Sequence, residues 1–272
     1  MKLKDIQKFI QIYLKILNKN MKNNKLITVI TVVKNSEKTI EKCINSVINQ
    51  SHKNFEYIII DGDSNDSTNT IINKYKDKIN IHINEKDMGI WDAMNKGLKL
   101  ANGEIVGFLN ADDFYYPNAL QLVNSYFFDN KIDFLFGSVQ KYKLMYGFKP
   151  WKIKWSFGFY TSHSVGFFIK TEEHRKIGEY NPKYLSADLS FFYRMIINFK
   201  LKGMASKKNE IFGEFLKGGF SSKINYFDHL LDLNQIRIDN NQNFLLVYLL
   251  FIIKILKKPI KFFKSCLPKI ND

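Results

Sequence analysis

The chain has 272 residues, 45% of them hydrophobic and 15% aromatic, enough to bury the core of one large domain or of one and a half. A charged fraction of 25% and a mean hydropathy of −0.24 exclude a disordered chain and a polytopic membrane protein. The formal charge of +15 belongs to the ends: seven Lys and one Asp give +6 over residues 1–25, six Lys and one Asp give +5 over residues 244–272, and only +4 is left between them.

Such a charge asks for an acidic partner, a nucleic acid or an anionic membrane surface. Only three of the 41 basic residues are Arg (Arg175, Arg194 and Arg237), and without the guanidinium fork the nucleic-acid reading is weak. The expected partner is therefore an anionic membrane surface, with no nucleic acid. Cys43 and Cys266 form no disulfide framework, which favours a reducing, cytoplasmic setting. The first ten residues alternate charged and apolar side chains, unlike a signal peptide.

In chain order, Leu3, Ile6, Ile10, Tyr13, Leu14 and Leu17 fall on one face of a basic amphipathic helix over 3–17, followed by a Lys/Asn-rich linker to residue 25. Strands are then expected over 26–33, 55–60, 79–83 and 104–109, with helices over 36–49, 66–75 and 90–101 between them. This alternation implies an α/β fold, a mostly parallel central sheet with helices on both faces. Beyond Tyr116 the pattern is less regular. Strands are expected over 133–139 and 165–170, a helix over 185–199 and a Gly- and Lys-rich loop over 203–222. Residues 244–256 are an apolar run broken by Lys254, well short of the roughly 20 residues that span a bilayer, and so interfacial. The expected division is a basic helix and linker (1–25), a catalytic-type domain (26–225), and a helical, basic and apolar membrane-associating tail (226–272).

In an open parallel sheet ligands bind at the carboxyl ends of the strands, and the acidic residues of this chain collect there. The second strand runs into Asp61-Gly62-Asp63, Glu85 and Asp87 follow the third, and Asn110-Ala111-Asp112-Asp113 follows the fourth. Ser64 and Asp66 suit a helix cap. Asp112 and Asp113 are harder to explain as a turn, because adjacent carboxylates in a narrow site repel unless a cation is bound. Asn110 and Asp112, two apart on an extended segment, point to the same side, where they could hold a divalent cation or a ribose. Val33-Lys34-Asn35 stands where a dinucleotide-binding glycine fingerprint would be, and no phosphate-binding P-loop is present.

The stretches ITVVKNSEKTIEKCINSVINQSHKNFEYIIIDGDSNDST and EKDMGIWDAMNKGLKLANGEIVGFLNADDFYYP resemble a family 2 glycosyltransferase with a GT-A fold, of the bacterial surface-polysaccharide type. The likeness continues more loosely through SHSVGFFIK, YLSADLSFFYRM and FGEFLKGGFSS. It implies inverting transfer of a sugar from a nucleotide-sugar donor, most often a UDP-sugar, with Mg2+ or Mn2+ on the diphosphate. The segment from Thr31 through Val33 to Asn35 would cradle the nucleobase, and Asp61 or Asp63 would contact it. Asp87, Gly89, Asp92 and Asn95 match the segment near the donor ribose and sugar. Asn110-Ala111-Asp112 takes the place of the family's D-x-D motif, which makes Asp112 the metal ligand, with Asp113 alongside and Asn110 on the ribose. Asp188 matches the general base, a carboxylate that takes the acceptor hydroxyl proton as the new bond forms; the position also suits a helix cap. Trp91 and His163 fall in the acceptor or diphosphate pocket, where Trp91 would lie under a sugar ring. The other histidines (52, 82, 174 and 229) show no ligand spacing. Lys217 and Gly218-Gly219 match a loop near the phosphates.

The resemblance implies an enzyme extending a glycan or lipid-linked acceptor at the cytoplasmic face of the cell membrane, held there peripherally by its basic ends. Two other readings are a sugar-nucleotide nucleotidyltransferase, which would carry a Gly-rich basic loop after the first strand, and a non-catalytic carbohydrate-binding module. Asp112, Asp113 and Asp188 together argue against the second of these.

Overall fold

The computed structural model describes residues 24–155, 164–216 and 224–266. The helix expected over 3–17, His163 and the 217–219 segment lie outside them. Four parallel strands make the frame: β1 (Ile27–Val33), β2 (Phe55–Asp61), β3 (Ile81–Asn84) and β4 (Ile105–Asn110). The first two read ITVITVV and FEYIIID, β-branched runs that suit a pleated surface buried on both faces. Beyond β4 lie β9 (Phe167–Lys170), antiparallel to both neighbours, then β6 (Phe134–Phe136) and β10 (Gly203–Ala205), giving the order β10-β6-β9-β4-β1-β2-β3.

The period-two alternation of the strands divides the core. Ile30, Val32, Ile58, Ile60, Val106 and Phe108 face one side, where they meet α3 (Ile90–Leu100) and α7 (Ala187–Tyr193). Val29, Val33, Ile59 and Leu109 face the other, against α1 (Ile40–Ile48), α2 (Thr68–Asn73) and α4 (Ala119–Asp129). The expected helix-covered, mostly parallel sheet is therefore present.

Four expectations in the second half are corrected. A single strand over 133–139 is instead β6 and β7 (Ser138–Gln140), which belong to different sheets on either side of Gly137. The expected loop over 203–222 contains β10 and β11 (Ile211–Glu214). β11 lies between β5 (Phe114–Tyr115) and β7, and β8 (Leu144–Met145) completes this smaller sheet. The expected 185–199 helix is regular only over α7 and continues as a π-helical turn, Arg194–Asn198. The irregular region after Tyr116 holds α4, whose Leu120, Val123 and Phe127 are buried.

Shorter helices α5 (Pro150–Trp155) and α6 (Thr171–Ile177) flank β9 in sequence. The C-terminal region is helical throughout: α8 (Tyr226–Asp239), α9 (Phe244–Lys257) and α10 (Pro259–Cys266). α8 packs on α7, and its Leu233 and Ile236 are buried in the core. Although it falls in the stretch expected as a tail, it is thus part of the folded body. No helix of the described residues is long and apolar enough to cross a membrane.

Candidate active site

The loops after β1 and β2 are laced together by short polar side chains. Asn35, at φ +49°, gives its backbone N–H to Ser64 Oγ and accepts the Asn65 N–H at Oδ1, 2.9 Å. Asp66 accepts the N–H groups of Thr68 and Glu37, so Ser64 and Asp66 brace the loops; the N-cap of α2 is Ser67, which makes no side-chain cap bond, and not Ser64 or Asp66 as expected. Asp61, wholly buried at the end of β2, accepts both the N–H and the hydroxyl of Ser64 at Oδ1. Its Oδ2 is buried and has no hydrogen-bond partner. His82 Nε2, on the neighbouring strand, is also buried without a partner. Burial lowers the His82 pKa, with the Asp61 charge pulling the other way, so the ring is neutral at neutral pH. The sequence pattern missed His82, because only the β2–β3 pairing brings it beside Asp61. Val33 is buried, and its carbonyl accepts the Gly62 N–H. Asp63, at φ +65°, is exposed.

The loop after β3 folds on its own carboxylates. Asp87 Oδ1 accepts the Gly89 N–H at 3.0 Å, and Asp92 Oδ2 accepts the Met88 N–H at 3.1 Å while pairing with Lys96. Gly89, at φ +111°, occupies backbone space that other residues rarely adopt and serves as the N-cap of α3. The Asp87 carboxylate lies directly over Gly62, where an added Cβ would stand 2.1 Å from Oδ2. Asn95 proves to be a strut: it is buried, its Nδ2 donates to the Tyr180 carbonyl and its Oδ1 accepts the Tyr180 N–H, which occupies the amide against protein backbone. The Trp91 ring stands 5.5 Å from that of Tyr180, and its buried indole N–H has no partner.

At the end of β4 the three polar residues separate by role. Asp113 is buried and accepts the Leu216 N–H at Oδ1, 3.1 Å, with the Asn110 amide at Oδ2. Burial, and then the Asp112 charge, hold its pKa well above the usual carboxylate range. Asp113 is thus an anchor between the two sheets. Asp112 is half-buried, its pKa raised by burial. Asn110 donates to Ser164 Oγ at 3.3 Å, and its own Oδ1 is buried without a partner. No group of three or more His, Cys, Asp or Glu among the described residues could by itself hold a metal ion. One carboxylate with an orphaned amide oxygen does fit a hard divalent cation that takes its remaining ligands from substrate phosphates. Behind them the Cys43 thiol donates to the Asn110 carbonyl at 3.6 Å; burial pushes its pKa up to about 12, so it remains a thiol.

Asp188 lies in the first turn of α7, half-buried, with Oδ1 accepting the Leu189 N–H at 2.9 Å. Burial, and then the Asp188 charge, raise the pKa of the Tyr180 phenol, whose ring stands beside that of Trp91. The loop before Asp188 is held from α8. Asp232 accepts the N–H groups of Leu185 and Ser186, and Asp239 accepts from Lys183 Nζ and the Tyr184 hydroxyl. His229 Nδ1 stands 3.3 Å from the Ser186 hydroxyl. No motif pointed to Asp232 or Asp239, which are distant in sequence from the loop they hold.

The sequence model for glycosyl transferase family 2 matches residues 28–198. A beta-1,3-glucosyltransferase of Escherichia coli, WfgD, named for UDP-Glc and alpha-D-GlcNAc-diphosphoundecaprenol, is 34% identical over 116 residues, 42% of this chain and 46% of that one. The matched stretch is thus less than half of that relative's length. Among solved structures, residues 1–349 of Staphylococcus aureus TarS with UDP-GlcNAc superpose with a TM-score of 0.65 at 18% identity, covering 88% of this chain and 79% of that one. A Pyrobaculum calidifontis mannosyltransferase, PcManGT, with GDP-Man and Mn2+, gives 0.61 at 16% identity, covering 88% and 72%. At such identities the likeness is one of fold, the GT-A fold.

Proposed function

The chain belongs to glycosyl transferase family 2, and from that premise we propose that it is an inverting glycosyltransferase. It would move a sugar from a UDP-sugar to a glycan or lipid-linked acceptor in the assembly of a bacterial surface polysaccharide. The observation that carries this reading is a set of three buried, unpartnered polar atoms on three of the four parallel strands: Asp61 Oδ2 on β2, His82 Nε2 on β3 and Asn110 Oδ1 on β4, with β1 between β2 and β4. Buried polar atoms are normally satisfied, and at the open end of a parallel sheet a ligand is the missing partner.

Their chemistry favours uracil. A carboxylate accepts the ring N–H that uracil presents, and a neutral imidazole N–H donates to the adjacent carbonyl oxygen. Asp87 and Gly89 shape the segment beside the sugar, and Trp91 offers a partly exposed aromatic face to it. Asp112, with Asn110 Oδ1, would hold Mg2+ or Mn2+, which when bound supplies positive charge opposite the leaving diphosphate. Asp188 acts as general base. As the acceptor oxygen bonds to the anomeric carbon, its proton passes to the Asp188 carboxylate, and the bond to the diphosphate oxygen breaks on the opposite face. The diphosphoundecaprenol acceptor in WfgD's name supports a lipid-linked acceptor here, and with it a peripheral position on the cytoplasmic face of the membrane.

The test is a panel of UDP-, GDP- and dTDP-sugars with Mn2+ and lipid-linked acceptors, scored for the nucleotide product. UDP release that requires acceptor supports the reading. Preference for another nucleotide overturns the uracil assignment, and pyrophosphate release overturns sugar transfer.

A further inference from the structure

Eight of the sixteen large apolar side chains exposed in the described residues lie on α9 and α10. Leu245, Leu249, Ile252 and Leu256, at helical spacing, form one exposed stripe along α9, and Ile260 and Phe263 extend it onto α10. The opposite side of α9, with Val247 and Leu250, is buried. Its 14 residues make a rod of about 21 Å, shorter than the roughly 30 Å hydrocarbon core of a bilayer. Such a helix can lie along a bilayer but cannot cross it.

Charge decides what covers the stripe. Residues 244–266 contain five Lys and no Asp or Glu. Lys254 is turned towards α8, and burial brings its pKa down to about 8, whereas Lys257, Lys258, Lys261 and Lys264 are exposed. A second copy would bring two such lysine sets together with no acid on either helix to offset them. An anionic lipid surface offsets them, at about 1 kcal/mol per lysine, while its acyl boundary takes up the apolar stripe.

The same two helices are tied to the active-site loop through α8. Asn225 donates to the Ser265 carbonyl and Tyr226 to the Lys254 carbonyl, and the Phe227 ring meets that of Phe262 edge-on at 5.6 Å. Further along α8, Asp232 and Asp239 hold residues 183–186, directly before Asp188.

We propose that α9 and α10 form a plate that docks in the headgroup region of an anionic bilayer, and that α8 joins this plate to the loop presenting Asp188, so that the mouth of the site is held at the lipid surface. The second part rests on the role of Asp188 given above; the docking surface does not.

The full chain is tested by co-sedimentation with mixed phosphatidylglycerol/phosphatidylcholine vesicles, against phosphatidylcholine alone, and by hydrogen exchange on the vesicle-bound protein. Binding is expected only to the anionic vesicles. Lys258→Glu with Lys264→Glu lowers partitioning at least about thirtyfold, the equivalent of ~1 kcal/mol per lysine. Leu245→Glu with Leu249→Glu abolishes it while UDP binding is retained. Vesicles slow exchange at Leu185 and Ser186 as well as along α9; in Asp232→Asn the slowing survives along α9 and is lost at the loop. Unchanged partitioning in both double variants overturns the plate. So does a dimer in solution that Leu245→Glu with Leu249→Glu dissolves while wild type ignores vesicles. Slowed exchange along α9 with no change at Leu185 and Ser186 overturns the link to the loop. Vesicle binding through the plate with no sugar transfer from any donor overturns the enzymatic reading and leaves the docking surface standing.

Discussion

The Asp232 carboxylate accepts two successive backbone N–H groups, Leu185 at 3.0 Å and Ser186 at 2.8 Å, two residues before Asp188. One side chain from α8 therefore sets the entry of α7, a role its N-cap Ser186 leaves open by making no cap bond of its own. Asp232→Asn replaces one acceptor oxygen with a donor that faces an N–H. Leaving a donor unsatisfied costs about 1–3 kcal/mol. The expected outcome is a kcat lowered about tenfold with the donor KM unchanged, measured by steady-state UDP release.

Asp188→Asn keeps the shape of the side chain and removes its capacity to take a proton. Transfer should fall by about 10²–10⁴-fold, the usual contribution of general-base catalysis. UDP affinity by calorimetry should be that of wild type, since the donor-facing groups lie on other elements. Unchanged turnover would remove Asp188 from the mechanism.

Gly62 has no room for a side chain beneath the Asp87 carboxylate. Gly62→Ala should displace Asp87, and with it the turn that Asp87 closes through the Gly89 N–H. The partly exposed Asp87 can yield, so the fold survives, and the effect appears as a several-fold rise in donor KM with little change in Tm.

His174 is completely buried, stacked on Phe191 at 4.2 Å between ring centroids, and neither ring nitrogen has a hydrogen-bond partner. Burial brings its pKa from 6.5 down to about 3, so the folded state holds a neutral ring where the unfolded chain would take a proton. A depressed histidine pKa contributes stability above the unfolded value, and this is lost as pH falls from about 6.5 towards 3, at up to about 1.4 kcal/mol per pH unit. His174→Phe should flatten the stability curve over that interval, as urea unfolding at several pH values would show. The variant should match or exceed wild type near pH 5, because it also removes two unpartnered nitrogens.

The first half of the fold was legible because its strands announce themselves. ITVITVV and FEYIIID are unbroken β-branched runs, and Ile40, Cys43, Ile44 and Val47 mark one helical face. The second sheet was not legible for a physical reason. Phe114–Tyr115 and Ile211–Glu214 are too short to show a period, and become strands only by pairing across about 100 residues with each other and, for the second, with Ser138–Gln140 about 70 residues away. The site divided in the same way. Asp61, Asp87 and Asp112 could be placed at the carboxyl edge of the sheet because they end or follow strands that could be read. The anchoring role of Asp113 needs Leu216, the strut role of Asn95 needs Tyr180, and the exposure of His82 to Asp61 needs the β2–β3 register.

Gly137 is the only residue between β6 in the large sheet and β7 in the small one, and a Cβ there would come within 2.5 Å of the Phe212 ring on β11. Its N–H is already spent on the Gly166 carbonyl at 2.7 Å. The two sheets are therefore joined at Gly137 with no slack, so that displacing β7 from the small sheet pulls directly on β6 in the large one. The strands of the small sheet are short enough to fray on their own, and what holds them to the core is this taut link together with Asp113, which extends the β5–β11 pairing through the Leu216 N–H and reaches back to the end of β4 through the Asn110 amide.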